Sequence, residues 1–452
     1  MSDPAPGSAY VFPELLAHGV GGRQDLPIPF GFAVTGAALA LVISFVVLGA
    51  FWRDARLGDP EAGRPLPARV AALIGSTGWR WALRALGLVL AGYFGIGLFL
   101  GPDVDRNPTA GAFYVLFWVG LVPASLLFGP VWRTLNPLRT CCLLVAAAFR
   151  RDPHRGLLPL PPRLGYWPAA LGLLAFVWLE LVAPDRATVP VIRAWLVAYA
   201  VVMLVGALLF GVDLFDRGDA FEVYSDLVGR LAVVGRRDDG TLVWRNPLEG
   251  MSGLAPAPGL TAVVVVLLGS TLFDSLSNAP AWFRFVQNSE LPPVLTNTAG
   301  MLALIGVVLG AYGLTCLLAA RSAAGVRPGE VAAEIAHCIV PIAVGYVVAH
   351  YYSLLVLEGQ RTLALLSDPL VTGTSNWLGT ANWSISAALV TPTGVAMLQV
   401  TLIVLGHLIG TVLSHDRALV LFPGRAAVSA QVPLLVLMVG YTVAGLFLLF
   451  AG

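Results

Sequence analysis

Residues 29–51 read PFGFAVTGAALALVISFVVLGAF and contain no charged side chain. A helix rises about 1.5 Å per residue, so a helix of this length spans the roughly 30 Å hydrocarbon core of a bilayer. The segment therefore predicts a transmembrane helix.

Other stretches of the chain repeat this pattern of about 18 or more consecutive, mostly apolar residues, which marks candidate membrane spans. With the first, the candidates are 29–51, 81–101, 111–129, 166–183, 188–212, 259–276, 295–320, 332–357, 394–414 and 431–450. Segments 67–78 and 137–149 are amphipathic and are predicted to lie in the membrane interface. The fold class predicted is all-α, a polytopic bundle of about ten transmembrane helices.

The composition agrees with this fold class. Hydrophobic residues make up 57% of the chain and charged residues only 12%, about half the charged share of a soluble globular protein. A soluble enzyme, a nucleic-acid-binding protein and a disordered chain are thereby excluded. The sequence contains no Lys, which excludes Schiff-base and Lys-nucleophile chemistry.

Arginine is concentrated in the loops that follow the odd-numbered spans, whereas the alternate loops hold about one each. Those isolated arginines are Arg106, Arg186, Arg284 and Arg361. By the positive-inside rule, odd-numbered spans run inward and both termini lie outside. The lack of Lys, together with abundant Ala, Gly and Pro, is typical of a GC-rich bacterial genome. We therefore predict a multi-pass protein of the bacterial inner membrane.

The spans divide the chain into four parts. Residues 1–28 lack a signal-peptide pattern and are predicted to form an outward N-terminal segment. Spans one to five occupy 29–212, and spans six to ten occupy 259–452, with long outward loops at 277–294 and 358–393. The cytoplasmic loop 213–258 alternates apolar and polar residues around an Arg-Asp-Asp-Gly turn, which predicts a small hairpin.

Ionisable residues inside spans are costly and usually face the protein interior or a cavity. Counting residues along each span places Asp274, Glu180, His350 and Arg193 in one layer near the outer leaflet. Asn278, Tyr351 and Glu358 follow nearby in the sequence. A second layer, closer to the cytoplasm, contains His337 and His407 as well as Pro341, which predicts a kink in the eighth span.

The outer layer is compatible with several kinds of site. Arg193 paired with Glu180 or Asp274 would be an ion pair that locks helices. A divalent metal held by His350 with Asp274 or Glu180 would activate water. The same residues would serve a transporter as a proton or substrate relay. A bis-His haem fits least well, because His337 and His350 do not share a face of a straight helix.

Several segments resemble a family of bacterial polytopic membrane proteins that are labelled fenitrothion hydrolases. The resemblance is carried by AHGVGGRQDLPIP (17–29), FDSLSNAPAW (273–282), parts of 336–360, LSDP (366–369), WLGTA (377–381), and GH (406–407) with HDR (415–417). These segments touch most of the chain.

The resemblance implies hydrolysis of a lipophilic organophosphorus ester at an outward polar pocket. His350 or Asp274 would activate water, directly or through a metal, and Arg193 or Arg23 would stabilise the phosphoryl charge. The predicted catalytic residues are His350, Asp274 and Glu180, and the predicted substrate-binding residues are Arg193, Arg23, His18, Asn278, Tyr351 and Glu358. A transporter and a non-catalytic subunit of a membrane complex remain as alternatives. The expected partners are the lipid bilayer and a lipophilic small molecule, with no nucleic acid.

Overall fold

The structure, a computed structural model, describes residues 23–422 and 426–450. Within these ranges ten helices are long and apolar enough to cross a membrane, which is the architecture of a multi-pass membrane protein. The prediction of an all-α bundle of about ten apolar helices is confirmed at this level.

The helices are α1 (Phe30–Phe51), α2 (Ala68–Gly75), α3 (Thr77–Leu100), α4 (Gly111–Phe128), α5 (Pro137–Ala148), α6 (Trp167–Leu181), α7 (Val189–Phe210), α8 (Ala220–Gly229), α9 (Leu260–Ser277), α10 (Pro280–Gln287), α11 (Pro293–Ala320), α12 (Pro328–Ile335), α13 (Val340–Leu365), α14 (Pro392–Leu421) and α15 (Ala426–Leu449). The strands are β1 (Arg64–Pro65), β2 (Val234–Arg236) and β3 (Leu242–Trp244). Short helical turns lie at Arg23–Asp25, Trp132–Leu135, Pro162–Leu164, Val212–Leu214, Phe215–Gly218, Pro247–Ser252 and Ala336–Ile339.

Helices α9 and α13 form the centre of the bundle. In each apolar stretch 78% of the residues are buried, whereas α1, α3 and α7 bury only 17% of theirs and face outward. Helix α9 packs against α6, α11 and α13, and α13 also packs against α4 and α14. Polar side chains on α9 and α13 are therefore the ones most shielded from lipid.

Glycines allow α13 and α14 to approach closely. A Cβ atom on Gly345 would lie 2.6 Å from the carbonyl oxygen of Leu402, and one on Gly406 would lie 2.7 Å from that of Pro341. Small residues at such crossings are typical of membrane helix pairs. Helix α13 itself is separated from α12 by the 3-10 turn Ala336–Ile339, which lies next to Pro341, where the sequence predicted a kink.

The loops between spans meet at two ends of the bundle. The segments 101–110, 182–188, 278–292 and 366–391 lie at one end, which we call the cavity end. Helix α13 continues to Leu365, so Glu358, expected in a loop, lies on a helix instead. Within the predicted loop 277–294 the structure places the short helix α10.

The opposite end carries a small antiparallel sheet of strand order β1-β3-β2. Strands β2 and β3 lie inside loop 213–258, and β1 comes from the loop after α1. The same loop also contains α8, a buried helix that the sequence reading did not identify. Helix α8 packs against α4 and α6, and its Glu222 accepts two hydrogen bonds from the buried Arg139 guanidinium, at 2.8 and 2.7 Å.

Candidate functional site

Asp274, on the last turn of α9, and His350, in the middle of α13, form a buried pair. The imidazole Nε2 lies 2.8 Å from the carboxylate Oδ2. His350 is only 8% exposed and Asp274 only 5%. Because the two central helices pack side by side, residues 76 positions apart meet in the interior of the bundle.

Further donors surround the same carboxylate. The Tyr351 hydroxyl donates to Oδ2 at 2.7 Å. The Asn278 amide donates to Oδ1 at 3.3 Å and to the Asp274 backbone carbonyl at 2.9 Å. Several hydrogen bonds to one carboxylate stabilise its charged form and fix its orientation.

A chain of hydrogen bonds continues from His350 away from the carboxylate. His350 Nδ1 lies 3.3 Å from Ser275 Oγ, and Ser275 Oγ lies 2.7 Å from the Tyr346 hydroxyl. In a neutral imidazole Nε2 donates to Asp274, so Nδ1 must accept from Ser275, which in turn accepts from Tyr346. We call these four residues the Asp274 chain. All its donors point toward Asp274, which is the order needed to deliver a proton there.

Asp274 also lines a cavity of about 1290 Å³ at the cavity end of the bundle. The walls come from three segments near helix ends, within 103–110, 181–189 and 274–283. The lining residues are Asp103, Val104, Asp105, Asn107, Ala110, Leu181, Ala183, Asp185, Arg186, Ala187, Thr188, Val189, Asp274, Ser277, Asn278, Pro280 and Phe283. The four carboxylates against one guanidinium give this cavity a negative charge.

Glu180, a predicted catalytic residue, belongs to the same region. It is partly buried on α6, one residue before Leu181, which lines the cavity. The charged neighbours of the Tyr351 hydroxyl are Asp274 and Glu180. Glu180 is also the charged neighbour of Tyr224 on α8, whose buried hydroxyl has no hydrogen-bond partner within the described ranges.

Other predicted site residues lie elsewhere. Arg193 is partly buried on α7, is absent from the cavity lining, and forms no ion pair with Glu180 or Asp274 among the described residues. The Arg23 guanidinium stacks on the rings of Phe30 and Phe447, at 4.8 and 5.6 Å. Glu358 lies 3.7 Å from Arg361. His18 lies outside the described residues.

The described residues do not form a metal cluster. No group of three or more His, Cys, Asp or Glu side chains in residues 23–422 and 426–450 is placed to hold a metal ion. The combination of His350 with Asp274 supplies two such groups, and a structural or catalytic zinc site needs three or four.

The sequence reading missed Tyr346 and the acidic residues of the cavity wall. Asp103, Asp105 and Asp185 lie in short loops. Acidic residues in loops usually face solvent, so their presence there does not indicate a functional site. Tyr346 lies one turn before His350 on α13, so the (i, i+4) spacing was a signal that could have linked them.

Comparison with known proteins adds no assignment. No family model matches the chain, and no curated protein and no solved structure matches it either. The resemblance to fenitrothion hydrolases therefore stays a prediction made from residue patterns.

Proposed function

We propose that the protein is a proton-coupled membrane transporter that binds a neutral or cationic lipophilic molecule in the cavity above Asp274. The observation that carries this proposal is the Asp274 chain. One end of the chain, Asp274, lines the open cavity, and the other end, Tyr346, lies inside the bundle. A group that exchanges protons between a ligand cavity and the protein interior is what coupling requires.

The charge of the cavity selects among ligands. Asp103, Asp105, Asp185 and Asp274 outnumber Arg186, and the Arg186 guanidinium already donates to the Leu181 carbonyl at 2.9 Å. A cleft lined by one sign of charge concentrates ligands of the opposite sign and repels those of its own. Neutral and cationic molecules are therefore favoured over anions.

We further propose that the cavity faces the periplasm of a bacterial cell. The arginine-poor loops at residues 101–110, 182–188 and 278–292 lie at the cavity end, and the arginine-rich loops lie at the opposite end. This distribution supports an orientation with the opposite end in the cytoplasm.

The test uses purified protein in liposomes, with ethidium as a lipophilic cationic probe and an imposed pH gradient. We expect gradient-driven ethidium movement by the wild type, and loss of that movement in Asp274→Asn. Asp239→Asn, which alters an exposed carboxylate in the hairpin turn, serves as the matched control and should behave as wild type. Equal movement in Asp274→Asn and wild type would contradict the proposal.

Hydrolysis is a second candidate, favoured by one specific observation. Ser275, His350 and Asp274 are connected in the order of a hydroxyl, a base and an orienting acid, at 3.3 and 2.8 Å. Since Asp274 and not Ser275 lines the cavity, the route that fits is a water deprotonated at Asp274 that attacks a neutral phosphotriester.

Nitrophenolate release from fenitrothion tests this candidate. Membranes that contain the wild-type protein are compared with membranes that contain His350→Ala and with membranes from an empty vector. Release that depends on His350 would support a hydrolase. Release no greater than that of the empty vector, with folded protein present, would exclude fenitrothion as a substrate. Transport would then remain as the proposed function.

A further inference from the structure

The interior contact of α13, α14 and α15 contains polar side chains that the Asp274 site does not use. Gln399, His407 and Thr411 lie on one face of α14 and are 4%, 2% and 2% exposed. Thr442 of α15 is completely buried. We call this contact the α14 seam. In contacts between membrane helices, side chains of these types usually hydrogen-bond across the contact.

Only one of the two ring nitrogens of His407 has a hydrogen-bond partner among the described residues. His407 Nδ1 lies 2.8 Å from the Ile403 carbonyl oxygen, which can only accept, so Nδ1 carries the ring proton. Nε2 of the neutral ring is then an acceptor, and it has no donor among the described residues. The Oε1 atom of Gln399, two turns away on the same face, likewise has no donor there.

Two buried acceptors without donors require an explanation. Buried polar atoms in folded proteins are nearly always hydrogen-bonded, to protein groups or to ordered water. Water can donate to both Nε2 and Oε1, and polar interior sites of this kind are where buried water is found.

The α14 seam adjoins the Asp274 chain. The ring of Tyr346, the last member of that chain, lies 3.2 Å from the position of a Cβ atom on Gly445 of α15. Gly345, the preceding residue, lies against Leu402 of α14. Tyr346 therefore lies where α13 meets both other helices of the seam.

Polar groups continue to the opposite end of the bundle. Thr411 contacts the sulfur of Met438 at 3.3 Å. His415 contacts Gln431 of α15 at 2.9 Å and the Trp52 carbonyl oxygen at 2.8 Å. Gln399 and His415 are 16 residues apart in one helix, about 24 Å at the usual helical rise, which is most of the thickness of a bilayer core.

We propose that the α14 seam holds a chain of water molecules that carries protons between the Asp274 chain and the opposite end, with His407 as a proton-accepting site on the route. Nε2 of His407 takes the excess proton from a hydronium ion on one side, which leaves a neutral water and the imidazolium, and then gives that proton from Nε2 to a neutral water on the other side, so that the ring is unchanged after each passage. This inference rests on the proposed function for its role, because it supplies the second half of the route that coupling needs.

The charged groups of this region lie at the inner limit of the α14 seam. Asp416 accepts from the Trp52 indole and from the backbone N–H of Arg56, and Arg417 lies 3.6 Å from Glu334 of α12. His337, beside Cys338 in the turn before α13, is a further titratable ring near that end.

The presence of water at His407 can be tested independently of any transport activity. Wild-type protein labelled with ¹⁵N-histidine in lipid bilayers is studied by water-edited solid-state NMR, and His407 is assigned by the signal lost in His407→Gln. We expect polarisation from water to reach His407 as it reaches the exposed His154. A His407 signal that receives no polarisation from water would overturn the inference.

The role of His407 is tested with ethidium in liposomes, by comparing two modes of movement. His407→Phe should keep ethidium exchange in the absence of a pH gradient, because the cavity is intact, but should lose movement driven by the gradient. His154→Phe, which alters an exposed histidine, is the matched control and should retain both modes.

The outcomes of the two proposals are distinguishable. Gradient-driven movement in His407→Phe equal to that of the wild type would overturn this inference and leave the proposed function standing. A wild type that shows no gradient-driven movement would contradict the proposed function, while the NMR result would still decide whether water occupies the α14 seam.

Discussion

At the scale of single residues, the geometry around Asp274 separates two roles that a buried carboxylate can have. A carboxylate that only locks helices together would be enclosed by its partners. Asp274 instead has donors on the bundle side, from His350 and Tyr351, and lines the cavity on the other. It can therefore meet a ligand while it remains linked to the interior.

Tyr346→Phe should separate ligand binding from coupling. The change removes only the hydroxyl that lies 2.7 Å from Ser275 Oγ, and the ring that packs on Gly445 remains. We expect ethidium binding close to that of the wild type and gradient-driven movement lower by about tenfold or more, since proton transfer groups typically contribute at least that much. Tyr352→Phe, which loses a bond to the Leu389 carbonyl on the exposed side of α13, is the control and should leave both unchanged.

A second residue-level prediction concerns the buried pair of Arg139 and Glu222 at the opposite end. Their side chains are 8% and 3% exposed, and the shortest contact is 2.7 Å. Arg139→Met leaves Glu222 buried without its cation, which should lower the free energy of unfolding by about 3–5 kcal/mol at pH 8. The double variant Arg139→Met with Glu222→Met should recover most of this loss. Thermal unfolding in detergent measures both, and a single variant as stable as the wild type would show that the pair contributes little.

The same pair gives a prediction about pH. Burial raises the pKa of the Glu222 carboxyl to about 7, against the opposing effect of Arg139. Removal of Arg139 raises it further, whereas the unfolded chain titrates near the usual value of about 4.3. The folded variant therefore takes up its proton at a higher pH than the wild type does, so acidification toward pH 7 stabilises the variant more than it stabilises the wild type. The difference in melting temperature between the two should narrow as the pH falls from 8 to about 7 and should change little from there to pH 5. A difference that widens on acidification would contradict this assignment.

At the scale of elements, the length of the apolar runs predicted the helices well, because a helix rises by a nearly constant amount per residue. The same count placed Asp274 and His350 at one depth, and they are in contact. It also placed Arg193 at that depth, yet Arg193 lies apart from the cavity. Depth follows from counting, but the direction in which a side chain faces depends on how helices pack, which a single sequence does not reveal.

Helix α8 was missed because its ten residues are too few for a span.

The contact between α3 and the segment before α5 gives an element-level prediction. A Cβ atom on Gly87 of α3 would overlap the carbonyl oxygen of Leu135, whereas one on Gly92 would have no atom within 4 Å. Gly87→Ala should therefore force the two elements apart and destabilise the protein by about 1–3 kcal/mol. Gly92→Ala, five residues further along the same helix, should change stability by less than about 1 kcal/mol. Thermal unfolding of the two variants side by side checks this, and equal melting temperatures would show that the contact is absent.

At the scale of the whole molecule, the first and last of the described membrane-length helices are neighbours. Helix α1 packs against α14 and α15, so the two ends of the described chain close the bundle on one side. The small sheet at the opposite end ties the loop after α1 to the loop before α9. These contacts join parts of the chain that are distant in sequence.

The orientation of the whole molecule is open to direct labelling. In a background with the four cysteines replaced by alanine, Thr374→Cys places a thiol at the cavity end and Asp238→Cys places one in the hairpin turn at the opposite end, both at exposed positions. A membrane-impermeant maleimide should label Thr374→Cys in cells whose outer membrane has been permeabilised, and should label Asp238→Cys only after the inner membrane is disrupted. The reverse pattern would place the cavity on the cytoplasmic side.

The pairing of β1 with β3 has a consequence for how the chain is made. Arg64 is paired with Trp244, about 180 residues later, which at ordinary rates of synthesis corresponds to some 10–40 s of translation. The partners of helix α1 are made later still, because α14 and α15 follow all the other described helices in the sequence. During that interval the face of α1 that later packs against α14 and α15 has no partner helix. Insertion factors and quality-control proteases can reach this surface. A chain truncated before α14 would retain that surface permanently, and its lifetime in the cell should be correspondingly short.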